Sequence, residues 1–116
     1  MSEARRVLDS SMSEDQFLAL VKEYAELRGW RFYHPWRSDH SVKGYPDCTM
    51  IRNGFLIFAE LKREEKKLTH DQEMWRLDIS LVESRAMQIH NDKDPWPVRY
   101  YVWQPSDWAQ IEEVLR

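Results

Sequence analysis

Cysteine is almost absent: Cys48 stands alone in 116 residues, so no disulfide framework holds this chain, and a reducing cytoplasm is its expected compartment. None of His34, His40, His70 and His90 has structural-zinc spacing with Cys48, which sets zinc aside. No apolar run approaches the ~20 residues of a membrane helix, and the opening Met-Ser-Glu-Ala-Arg-Arg lacks the apolar stretch of a signal peptide. The three glycines form no phosphate-cradling loop, and no motif for serine or cysteine nucleophilic catalysis is present. Internal repeats and low-complexity tracts are also missing. A basic excess is lacking too: the formal charge is −3, not the footprint of a nucleic-acid binder. The charges are uneven, however. Arg37, Lys43, Lys62, Arg63, Lys66 and Lys67 flank one central stretch while acids crowd the ends, and a local groove can be positive on an acidic protein.

What the chain does have is enough apolar material, 42% of residues, for one core. Residues 1–12 carry little pattern and read as a loose lead-in; residues 13–116 read as a single domain. The central stretch runs from Gly44-Tyr45-Pro46-Asp47 to Glu60-Leu61-Lys62, with two strand-like runs flanking Asn53-Gly54. Asn-Gly between hydrophobic runs predicts a β-hairpin with a type I′ turn. That turn sets the register: Arg52 faces Phe55, Thr49 faces Phe58, and Asp47 faces Glu60. Opposed residues share one face of the sheet with Cβ atoms about 4.5–5.5 Å apart, and alternation adds Lys62 to the same face. The opposite face, Cys48, Met50, Ile57, Ala59 and Leu61, is wholly apolar and suits a core.

Two carboxylates side by side repel by about 4 kcal/mol at an effective dielectric near 20. Protonation of one, neutralisation by Lys62, or a cation between them would relieve this. Carboxylates with water suit the hard ions Mg²⁺ and Mn²⁺. With a lysine beside them, such an arrangement serves phosphodiester hydrolysis.

Around the hairpin, Ser13 and Gln16 form a capping box for a helix ending at Gly29, and Trp30–His34 alternates as a strand up to Pro35. A polar loop follows, where Ser38, His40, Ser41 and Lys43 precede Asp47 at a place where a phosphate can be gripped. Gly44 there allows a turn or a close approach that a side chain would block. Thr69 and Gln72 form a second capping box, and Trp75, Ile79, Val82, Ala86 and Ile89 continue that helix towards His90. Val98–Trp103 reads as a strand, and Ser106 starts a last helix. The order αβββαβα predicts an α/β (α+β) layered fold, a mixed sheet flanked by helices. Trp36 and Trp96 fall in loops, where an indole stacks on a base or packs at a rim.

Pro46-Asp47, twelve residues, then Glu60-Leu61-Lys62 resembles the PD-(D/E)xK nuclease motif. With residues 38–47 upstream and Leu68-Thr69-His70-Asp71-Gln72 downstream, the chain is similar to the VRR-NUC branch (virus-type replication-repair nuclease), whose stand-alone members are about this small. The resemblance spans roughly Glu14 to Leu115. It implies a restriction-endonuclease-like core and a metal-dependent DNA endonuclease acting on flaps or four-way junctions. Asp47, Glu60 and the backbone carbonyl of Leu61 would bind Mg²⁺ or Mn²⁺, and Lys62 would act on the attacking water. Beside the resemblance, Ser38, Ser41 and Lys43 in the polar loop and Arg63, Lys66 and Lys67 in the charged run after Lys62 are either DNA contacts or an ordinary solvated loop and turn. Cutting a symmetric junction implies a homodimer. Glu14 has two readings, a charge favouring its helix dipole or a third carboxylate at the metal. Gln72 likewise is a capping partner or an active-site member. Gln104 stands where the family pattern leads one to expect an arginine. Two rivals are a non-catalytic DNA-binding or interaction module of the same shape and a purely structural charge cluster.

Overall fold

The computed structural model describes residues 2–36, 42–89 and 96–116. Among these, four helices and one four-stranded mixed sheet form an α+β fold. Helix α1 spans Glu3–Ser11 and α2 Glu14–Leu27; strands β1 (Arg31–Tyr33), β2 (Cys48–Arg52) and β3 (Phe55–Leu61) follow; then come α3 (His70–Ile89), β4 (Val98–Trp103), a 3₁₀ turn (Pro105–Asp107) and α4 (Trp108–Leu115).

The hairpin has the expected register, from Arg52 opposite Phe55 to Cys48 opposite Ala59. Asn53 and Gly54 both have positive φ, 50° and 85°, as a type I′ turn requires. β1 pairs antiparallel with β2, and β4 runs parallel to β3, giving the order β1-β2-β3-β4. Alternation then sorts the faces. Cys48, Met50, Ile57, Ala59 and Leu61 are buried with Phe17, Val21 and Ala25 of α2 and Ile111 and Leu115 of α4. α3 covers the other face near β4, where its Glu83 accepts the outward-pointing amide of Tyr100 at 3.2 Å. That contact satisfies a donor on the sheet's edge strand.

At the turn end of the hairpin, the Arg52 guanidinium donates to the carbonyls of Arg28 (2.8 Å), Leu115 (3.2 Å) and Arg116 (3.1 Å) and lies over the Trp30 ring. One side chain thereby serves the carboxyl ends of α2 and α4, where orphan carbonyls and helix dipoles favour a cation. The opposite end of the hairpin is left for the site.

Two expectations change. Residues 3–11, taken as a loose lead-in, are helical: Ser2 caps the helix by accepting from the Arg5 amide, and Arg5 pairs with the buried Asp9 one turn on at 3.3 Å. Ala4, Val7 and Leu8 do stand at helical spacing, a stripe the expectation left out, and Val7 and Leu8 stay exposed. The last helix begins at Trp108, after a 3₁₀ turn in which Asp107 accepts from the Gln104 amide. Ser38, Ser41, Arg37 and His40, with His90, lie outside the described residues. No helix among the described residues is long and apolar enough to cross a membrane.

Candidate active site

The site forms where β2 and β3 part. The paired register of β2 and β3 ends at Cys48 opposite Ala59, and the chain bends at Asp47, just after Pro46, which has no N–H to give a ladder. Beyond the last pair, the Leu61 amide donates to Asp47 Oδ2 at 2.8 Å.

Glu60 is 2% exposed and Lys62 is 3% exposed, both at this end of β3. Gln72 reaches across from the first turn of α3. Its Oε1 accepts from the Thr69 amide at 2.8 Å while Thr69 Oγ1 accepts from the Gln72 amide at 3.2 Å, a complete capping box. A backbone amide can only donate, so the side-chain oxygen must lie there and Nε2 must point the other way, where it donates to Glu60 Oε1 at 3.0 Å. The two readings of Gln72 therefore hold together: the cap orients the amide that supports the acid.

Glu60 Oε2 is buried with no hydrogen-bond partner among the described residues. Burial, then the adjoining Asp47 carboxyl through a hydrogen bond and through its charge, pushes Glu60 far above the usual carboxylate range, to about 10. The charge of Lys62 pulls it back and that of Glu14 raises it further. Burial, followed by the Glu60 charge, also raises the nearby Tyr100 phenol. Without a cation, then, Glu60 is a neutral acid at neutral pH.

The loop before Asp47 is pinned to α3. Tyr45 packs edge-on against Trp75 and Phe58, with centroids 5.1 and 6.3 Å away, and its hydroxyl shares a hydrogen bond with Thr49 Oγ1 at 3.1 Å. Trp75 Nε1 donates to the Lys43 carbonyl at 3.1 Å. Gly44 has φ of 84°, and a Cβ there would meet the backbone carbonyl of Asp71 at 2.4 Å and the Gln72 amide nitrogen at 2.7 Å. Both expectations for this glycine, turn and close approach, are met. Gly44→Ala is expected to cost about 2–4 kcal/mol, from left-handed strain plus overpacking against rigid backbone. Thermal unfolding would show it, and the variant should also lose the Gln72–Glu60 alignment.

Asp47, Gln72, Lys43 and Glu14 line one open cleft of about 730 Å³, together with His34. His34 was weighed in the sequence only as a zinc ligand. Its Nδ1 lies 2.6 Å from the Asp47 carbonyl, which can only accept, so Nδ1 carries the hydrogen. Only the pairing of β1 with β2 brings the two together, and the sequence carries no signal for that pairing.

Other expected members fall differently. Glu14 Oε1 lies 3.5 Å from Lys66 Nζ, so this acid and one expected DNA contact form an ion pair. Among the described residues no three His, Cys, Asp or Glu side chains gather as a ligand set, so Glu14 does not complete a triad of carboxylates. Arg63 and Lys67 are exposed. The acids brought together here for a hard cation are Asp47 and Glu60, which share a hydrogen bond; the Leu61 carbonyl is a donor only on the resemblance. The buried, unpartnered Glu60 Oε2 fits such an ion, which would supply the missing partner and displace the acid's proton. Comparison of the chain with protein-family models, curated proteins and solved structures finds no match.

Proposed function

We propose that this chain is a divalent-metal-dependent DNA endonuclease of the VRR-NUC kind, with a restriction-endonuclease-like core. The reading is carried by one observation: a buried glutamate with an unpartnered oxygen beside Asp47, with the buried Lys62 close enough to act on its charge. As a carboxylate that oxygen has no donor in the fold; either its own proton, shared with Asp47, or a cation satisfies it.

Asp47, Glu60 and the Leu61 carbonyl would hold Mg²⁺ or Mn²⁺. Bound there, the ion supplies charge neutralisation at the phosphoryl group and a more acidic water. Gln72 fixes the direction of the Glu60 carboxyl, and the Leu61 amide does the same for Asp47. Lys62 orients the attacking water and steadies negative charge as the bond to phosphorus forms. Lys43 in the cleft, with the exposed Arg63 and Lys67, attracts the phosphate backbone. Branched DNA, a flap or a four-way junction, is the proposed substrate, and a cytoplasm the proposed compartment.

Labelled duplex, single-stranded, flap and junction DNAs incubated with Mg²⁺ or Mn²⁺ test this directly. Metal-dependent cuts on at least one branched form are expected. Salt-sensitive binding without turnover on every form would replace the enzyme with a DNA-binding module.

A further inference from the structure

Helix α3 carries an exposed apolar stripe beside its buried face. Ile79 is buried on the sheet side. On the adjoining solvent-facing side Met74, Leu81, Val82 and Ile89 are 47%, 67%, 54% and 80% exposed. At 3.6 residues per turn these four, with the exposed Asp78 and Arg85, fall within an arc of about 100°. The stripe from Met74 to Ile89 is about 22 Å long.

Its order is self-complementary. Met74 and Ile89, Asp78 and Arg85, and Leu81 and Val82 are each symmetric about the midpoint between residues 81 and 82. A copy laid antiparallel across the stripe, on a two-fold axis through that midpoint, sets apolar residue against apolar and acid against base. A parallel, in-register copy sets Asp78 against its own twin and Arg85 against its own. Within one chain the two charges lie about 10.5 Å apart along the axis, and neither has an ion-pair partner among the described residues. Polar pairs within an apolar helical seam select direction and register.

We infer that this face of α3 is a two-fold interface for a second copy of the chain, bound antiparallel, with Asp78 of each subunit paired to Arg85 of the partner subunit. Isologous contact needs such self-complementarity. One helix face is short of the area of a permanent dimer, so the association is reversible, with a dissociation constant on the order of micromolar. The inference rests on α3 alone, and its test involves no cleavage.

Sedimentation velocity from ~1 to ~300 μM should show wild-type protein passing from monomer to dimer. Asp78→Arg and Arg85→Asp, each setting like charges together, should each weaken association by ~10-fold or more, and the double exchange should restore it. Leu81→Glu should be monomeric throughout. All these positions are exposed, so circular dichroism and Tm should match wild type. A monomer at every concentration, a dimer indifferent to Leu81→Glu, or a double exchange no better than the single changes would overturn the interface.

Discussion

Lys62→Met and Asp47→Asn should each lower metal-dependent DNA cleavage by at least ~10³-fold while the protein stays folded. The choice of replacements follows from the packing. Lys62 is 3% exposed, so methionine fills its space with an unbranched apolar chain. Asp47 accepts the Leu61 amide, and alanine would leave a buried donor bare at a cost of about 1–3 kcal/mol. Asparagine retains an acceptor oxygen and removes the charge. The two variants then differ in a second respect. The Lys62 charge holds Glu60 down, so without it the acid keeps its proton to higher pH. Metal affinity of Lys62→Met should therefore be weakened near neutrality and recover as pH rises, with cleavage still lost. Single-turnover rates at saturating Mn²⁺, set beside calorimetric metal titrations, separate the two effects. Wild-type rates in either variant would remove these residues from the chemistry.

Glu60→Gln should raise the stability of the metal-free protein and abolish its response to metal. The amide copies the neutral acid in size, with an oxygen for Gln72 Nε2 and an N–H₂ in place of the hydroxyl beside Asp47. The sign follows from the direction of the shift. Glu60 titrates at about 10 in the fold against 4.5 ordinarily, so its contribution is fully present below about 4.5 and is lost progressively as pH climbs towards 10. Glutamine does not ionise and escapes that loss. The variant's advantage should be nil near pH 4 and grow through pH 8, at about 4 °C in Tm for each kcal/mol relieved. With Mn²⁺ the order reverses, because binding to wild type drives off the Glu60 proton and stabilises the fold by mass action. Titrations in buffers of different ionisation enthalpy should show proton release from wild type alone. A glutamine variant less stable than wild type at pH 8 without metal would mean that Glu60 is already charged.

Much of this was legible in the sequence because it is local. Asn53-Gly54 admits one common turn type, and that turn carried the register of the hairpin from Cys48 to Ala59. Ser13 with Gln16 and Thr69 with Gln72 announced two helix starts through side chains three residues apart. What stayed hidden depends on tertiary pairing or on weak patterns. Helix α1 carries only Ala4, Val7 and Leu8 at helical spacing, a stripe too short to stand out, and it buries Asp9 while leaving Val7 and Leu8 in water. Its other signals were polar ones: Ser2 ahead of Arg5, then Asp9 a turn later. The His34 contact requires β1 beside β2, and the ion pair of Lys66 with Glu14 joins a loop to a helix about fifty residues away. Charge position offered Lys66 as a DNA contact or part of a solvated turn, and composition could not show that it also meets Glu14.

The imino acid at position 46 has a consequence for how the hairpin is divided. At the Asn53-Gly54 end, matched donors and acceptors and the Arg52 clasp keep the two strands zipped. At the other end proline has no hydrogen to offer a ladder, the chain bends at Asp47, and the Leu61 amide goes to a carboxylate instead of a strand. Another residue at position 46 would bring a backbone hydrogen to a place where the fold now uses only the Asp47 side chain.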